Sequence, residues 1–256
     1  MAQSRSVHSV EKAIALLDCM WKAGRSLSLT ELVEKTGGAK STVHGLLMAM
    51  LESAVVEQDP VDGKYRLGYH LFELGQGVSA SWDVVSTVRP RLEQLVAELG
   101  ESACLARLSG DELLVVSSAE PRGGFRVTSD PGARLPLHCT SQGKCILSAM
   151  PEEQARELLQ RRGMPNLTGA TITTWEGIQS QLVLTRELGY SVERGEYRQG
   201  LQSIGAPIYA ADGSCTYAIG VIEILRTAPG TDRNTIAAVR AAAAAASHDL
   251  GWRGEY

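Results

Sequence analysis

No apolar run in this 256-residue chain approaches the ~20 residues a helix needs to cross a bilayer. The N-terminus, Met1 to Glu11, is polar and lacks the apolar core of a secretion signal, so a cytoplasmic protein is expected. The five cysteines (Cys19, Cys104, Cys139, Cys145, Cys215) are scattered, odd in number and contain no C-x-x-C pair. Neither a disulfide framework nor a zinc ribbon fits that spacing, and no metal or cofactor is expected. A Walker loop and a G-x-G-x-x-G after a strand are both missing, as is a G-x-S-x-G nucleophile elbow. Positive charge is not in surplus either. The formal net charge is −4, and residues 1–70 hold about as many acids as bases. Any contact with nucleic acid must therefore come from a local cluster.

What is present, 44% hydrophobic and 21% charged residues, suffices for two compact soluble domains. Val10, Ile14, Leu17, Met20 and Trp21 recur at helical steps over 7–23, and Gly24 ends that pattern. Ser28-Leu29-Thr30-Glu31 has the form of a capping box at a helix start. Leu32 and Val33 give the short helix a core face, and Gly37-Gly38 supplies a left-handed stop. A further helix from Lys40 to Ser53 buries Val43, Leu46, Leu47, Met50 and Leu51. Lys40, Ser41, Thr42, His44 and Gly45 then fall on its exposed N-terminal side. Ser41 and Thr42 could simply cap that helix, or could bond phosphates and base edges. Two extended runs follow around Asp59-Pro60 and Asp62-Gly63, with Lys64 and Arg66 on one strand face. Helix, glycine break, helix and hairpin in this order make a winged helix-turn-helix.

From Trp82 to Leu99 a helical pattern passes through Pro90, expected to mark a kink or a junction of two helices. The region beyond Gly100 reads as a mixed sheet flanked by helices. Strands are expected at 103–108, 113–118, 125–128, 190–192, 203–209 and 217–225. Helices are expected after Leu135, from Pro151, from Trp175 to Leu188, and from Asp232 to Leu250.

Two stretches could carry chemistry. In Pro136-Leu137-His138-Cys139-Thr140-Ser141-Gln142-Gly143-Lys144-Cys145, small polar residues before a helix suit a loop that holds a carboxylate. Glu193, Arg194 and Glu196 could form an acid–base set, although such runs are by default solvated charged loops.

Residues 7–75 resemble the DNA-binding domain of IclR-type bacterial transcriptional regulators. The resemblance rests on Lys40-Ser41-Thr42-Val43-His44, Leu46-Leu47, Asp59-Pro60, Gly63 and Tyr65-Arg66-Leu67-Gly68. Gly45 and Ala39 stand where the family usually has Arg and Pro. The His138–Cys145 run, and Gly189, Glu196 and Ser203-Ile204-Gly205-Ala206-Pro207, resemble the family's C-terminal domain, with Glu193 where Asp or Ser is usual. The resemblance implies an α+β protein. Residues 1–77 would be a winged helix-turn-helix, 78–100 linker helices, and 101–256 a GAF-like α/β effector-binding domain. DNA contact would fall to Lys40, Ser41, Thr42, His44, Lys64 and Arg66. The effector pocket would comprise Phe125, Thr128, Ser141, Gln142, Glu193, Ser203, Gly220 and Ile222. Gly220 and Ile222 lack hydroxyls that family members binding small keto-acids carry, and Gln142 adds an amide, so a larger, partly apolar acid is expected. The implied partners are a palindromic double-stranded operator, a small-molecule effector, and further copies of the chain as a homodimer or a dimer of dimers. Two other readings remain at this stage. One is a hydrolase or acyltransferase using Cys139 or Cys145 with His138. The other is a regulator sensing redox state through Cys139, Cys145 or Cys215.

Overall fold

The computed structural model describes residues 8–80, 83–123, 127, 129–225 and 232–254. The chain forms two compact units that divide between Ser81 and Trp82.

In the N-terminal unit, α1 (His8–Ala23), α2 (Leu29–Thr36) and α3 (Lys40–Glu52) precede a hairpin of β1 (Val56–Gln58) and β2 (Tyr65–Leu67), and α4 (Tyr69–Ala80) closes it. The capping box at α2 is complete: Ser28 Oγ accepts from the Glu31 amide, and the Ser28 amide donates to Glu31 Oε2 at 2.8 Å. That amide bond, with Arg25 at 2.8 Å, holds the Glu31 carboxyl down at about 2. Gly37 stops α2 in the left-handed region at φ 67°, a conformation only glycine adopts without strain. Leu16, Met20, Leu27, Leu32, Val43 and Leu47 form the core beneath the helices, and Tyr65 joins it from the hairpin. Leu46 and Leu51 are only partly buried. Helix α4 is an addition to the expected elements.

The C-terminal unit opens with α5 (Asp83–Leu99), one helix that runs through Pro90, not a junction of two. Its Val88, Leu92 and Leu95 are buried in the core of this unit. Then come β3 (Ser102–Ser109), β4 (Glu112–Ala119), β5 (Arg134–Leu135), α6 (Ser141–Ser148), α7 (Glu152–Arg162), α8 (Trp175–Leu188), β6 (Ser191–Arg194), β7 (Leu201–Ile208), β8 (Tyr217–Ile224) and α9 (Arg233–Asp249). The expected mixed sheet is antiparallel throughout, in the order β5-β4-β3-β8-β7-β6. The strand expected at 125–128 falls largely outside the described residues.

Period-two alternation sorts the sheet into two faces. Ala103, Leu105, Ile204, Ala206, Ile219 and Val221 turn to the face covered by α5 and α9, where Val239, Ala243 and Ala246 meet them. Ala106 and Ala218 turn to the opposite face, where α6 packs with Leu158, Leu159, Ile178 and Leu182 from α7 and α8 behind it. The alanine run of α9 thus serves close packing. The described helices include none long and apolar enough to cross a membrane.

Candidate functional site

On the N-terminal unit, α3 presents Lys40, Ser41, Thr42, His44 and Gly45 as exposed residues while Val43, Leu47 and Met50 point inward. The N-cap is Ala39, which makes no side-chain bond, so Ser41 and Thr42 do not cap this helix. Its first turn carries no acid. Free amides, two hydroxyls and a lysine thus share one accessible helix end. The hairpin cations are differently placed. Lys64 lies 3.0 Å from Asp62, and Arg66 grips Glu57 across the strands. Glu57 also accepts the Tyr69 amide at 3.1 Å. That bond and Arg66 hold its carboxyl below the usual range.

On the C-terminal unit, register explains the second site. Ser102, Ile222, Ser203 and Glu193 form one cross-strand row over β3, β8, β7 and β6. Two residues along, on the same face, Cys104, Gly220, Gly205 and Ser191 form the next. The paired glycines make a trench, and the first turn of α6 lies in it. A Cβ on Gly205 would stand 3.0 Å from Ser141 Oγ and 3.1 Å from the Gln142 amide. Thr140 caps this helix by accepting from the Gly143 amide at 3.3 Å, and its own hydroxyl donates to Pro136 O at 2.7 Å.

Beside that turn is a cavity of about 210 Å³. Gln142, Glu193, Ser203 and Ile222, all expected from the sequence, line it. Ser141 and Gly220 do not. Ser141 is fully buried, and Gln142 covers Gly220. Phe125 and Thr128 lie outside the described residues. Arg134, Leu135, Tyr197, Arg198 and Leu201 line the cavity without having been expected. Their one signal was position: Tyr197 and Arg198 directly follow Glu196, and Arg134 follows the Asp130-Pro131-Gly132 turn.

The supposed charged loop is instead largely internal. Glu193 and Glu196 are buried, and the wholly buried Lys144 donates to Glu196 Oε1 at 2.5 Å. Glu193 accepts from Ser203 Oγ at 3.1 Å and from the Glu196 amide at 2.9 Å. Burial outweighs those bonds and pushes its carboxyl up to about 7. Arg194 is exposed and pairs with Asp232. Thr168 and Thr171 fix the turn from outside, donating to Gly195 O and Glu196 O at 2.6 Å each.

The four cysteines of this unit are poor nucleophiles. Cys139, Cys145 and Cys104 are completely buried, and burial pushes Cys139, Cys104 and Cys215 up to about 12, and Cys145 well up also. His138 Nε2 donates to Pro165 O at 3.1 Å, and burial lowers the imidazole's pKa. A cysteine–histidine enzyme and a thiol sensor both need an accessible thiolate, which this arrangement withholds.

Residues 9–60 match the family model described as the IclR helix-turn-helix domain, and residues 76–248 that of the bacterial transcriptional regulator IclR C-terminal domain. The chain is 32% identical over 253 residues to the glycerol operon regulatory protein of Streptomyces griseus, covering 97% of this chain and 98% of that one. An IclR transcriptional regulator from Alicyclobacillus acidocaldarius superposes with a TM-score of 0.87 at 28% identity, over 96% of this chain and all of the other. An IclR homologue from Microbacterium hydrocarbonoxydans, complexed with 4-hydroxybenzoate, shares the fold at a TM-score of 0.84 and 23% identity, over 94% and 98% of the two chains.

Proposed function

The chain belongs to the IclR family of bacterial transcriptional regulators, and we propose that it reads DNA through the N-terminal face of α3 and senses its effector in the cavity beside α6. It is a ligand-responsive, DNA-binding regulator and not an enzyme. A catabolic operon is its proposed target; the Streptomyces relative is named for regulating a glycerol operon.

The observation that carries the DNA reading is the free end of α3. Lys40, Ser41, Thr42 and His44 are exposed on an uncapped helix start with no acid in its first turn. Helix amides and hydroxyls of this kind bond phosphates and base edges. The wing adds Lys64 and Arg66 once DNA phosphate competes with Asp62 and Glu57. We take residues 1–77 as the reader, 78–100 as the connection and 101–256 as the sensor. Two copies present two α3 helices to an approximately palindromic operator, and pairs of dimers extend this arrangement. The effector acts by binding one arrangement of the chain more tightly than another. Lys40→Ala should weaken binding to all duplexes alike and lower the salt slope by about 1. Unchanged affinity and slope would remove α3 from the interface.

The cavity favours a small, partly apolar organic acid. Leu135, Leu201 and Ile222 supply an apolar wall, and the two cations Arg134 and Arg198 stand against the acid Asp130, with the Glu193 carboxyl held up to about 7. Its volume falls below the ~300–1,000 Å³ of drug-sized sites, which suits a single ring. The Microbacterium protein, related at the level of fold, is a precedent for that class. Calorimetry with benzoate, glyoxylate and pyruvate tests the assignment. Tight binding of either keto-acid, with no response to aromatic acids, would overturn it.

A further inference from the structure

The carboxamide of Gln142 is anchored at both ends by the protein. Nε2 donates to Cys104 Sγ at 3.1 Å, and Oε1 accepts from Ser141 Oγ at 3.1 Å. It also fills space that any side chain at position 220 would need: a Cβ built there lies 2.3 Å from Gln142 Nε2 and 2.5 Å from its Cδ. The residue therefore does more than offer an amide to a ligand. It closes the inner end of the cavity, between the Cys104–Gly220–Gly205 row and the Ile222–Ser203–Glu193 row.

We propose that Gln142 is a plug built into the effector cavity, which confines effectors to the outer compartment and excludes small carboxylic acids from the inner one. The proposal rests on the cavity being the effector site. The shape of the excised group names the excluded class. Replacing Gln142 by alanine removes a fragment the size of acetamide, and a carboxylate is nearly isosteric with a carboxamide. The vacated space would meet the Ser141 hydroxyl, which now donates to Gln142 Oε1, and a carboxylate oxygen accepts from that donor as the carboxamide oxygen does. Cys104 stays a neutral thiol there because burial raises its pKa to about 12. Glu193, held up to about 7, carries only part of its negative charge just below neutral pH, which lessens its repulsion of an incoming acid. The other charges around it are Glu196 on its own turn, Lys144 on α6, and Asp130, Arg134 and Arg198 lining the cavity, with Arg134 also 3.7 Å from Glu112.

The test is calorimetry of acetate, pyruvate and benzoate with full-length wild type, Gln142→Ala and Gln142→Met, just below neutral pH. Methionine is unbranched and of similar length, so it keeps the plug without the amide. Wild type and Gln142→Met should give no acetate or pyruvate heat. Gln142→Ala should gain at least about tenfold for one of them. No gain in a Gln142→Ala protein that melts cooperatively would overturn the plug, as would equal binding by wild type. Should Gln142→Ala gain the small acids while no variant takes benzoate, the plug stands and the aromatic assignment falls. A ligand-free cycle checks the geometry. Gly220→Ala should lower Tm in wild type and much less in Gln142→Ala, whereas strictly additive shifts would contradict the contact.

Discussion

Arg66 and Glu57 face each other across the wing, and the guanidinium holds Glu57 Oε2 through Nε at 3.0 Å and Nη2 at 2.9 Å. A cation closed on its own strand partner must break that pairing before it can reach a phosphate. Glu57→Gln should therefore release Arg66, tighten duplex binding severalfold and steepen the salt dependence by up to about 0.9 in log–log slope. Salt-series fluorescence anisotropy measures both quantities. An unchanged slope would place Arg66 away from DNA.

The opposite trade is visible within α3. Gly45 lies exposed in the helix interior, and a Cβ there would meet nothing within 4 Å. Gly45→Ala should stabilise the N-terminal unit by about 1 kcal/mol, seen as a rise of about 4–8 °C in its thermal midpoint. No rise would show that the helix tolerates glycine for a reason other than its exposed face.

In the C-terminal unit, the buried Lys144–Glu196 pair fastens α6 to the turn after β6. Lys144→Met leaves Glu196 uncompensated in the interior, and the loss is expected at about 3–5 kcal/mol. Chemical denaturation followed by tryptophan fluorescence would report it. A loss below 1 kcal/mol would mean that water or another donor replaces the ammonium.

Glu193 gives a pH signature. Its carboxyl stands near 7 in the folded chain against 4.5 as the ordinary value, so the native state binds more protons between those limits. Its contribution is therefore greatest below pH ~4.5 and falls as pH rises towards ~7, by up to about 3 kcal/mol. Glu193→Gln should flatten the stability profile over that window and compare best with wild type above neutrality. Parallel profiles for the two proteins would refute the raised pKa.

These cases also mark what could be read before the structure. Local rules sufficed for the capping box at Ser28, the Gly37 stop and the buried face of α3, because each depends on neighbours within one or two turns. The exposed set Lys40, Ser41, Thr42, His44 and Gly45 followed from the same periodicity. Helix α4 escaped notice because its sequence, with Gly75 and Gly77, has weak periodicity. Glu193 and Glu196 looked like a solvated loop because their partners come from elsewhere in the chain, Ser203 on β7 for Glu193 and Lys144 on α6 for Glu196. The role of Gln142 was also out of reach, since it is fixed by Gly220 on β8 and Cys104 on β3. Arg134 and Arg198 likewise become neighbours of the cavity only when β5 and the turn after β6 are brought together by folding.

The central claim, that the N-terminal face of α3 lies on DNA, is tested most directly by Gly45→Arg. The structure leaves room for the side chain, and the position adds a cation between His44 and the partly buried Leu46 without disturbing the core. Affinity is measured against a salt series, on a duplex selected by the wild-type protein from a random pool. The expected result is tighter binding at low salt and a log–log slope steeper by about 0.9. Binding no tighter than wild type at low salt, with an unchanged slope, would contradict the placement of this helix face on DNA.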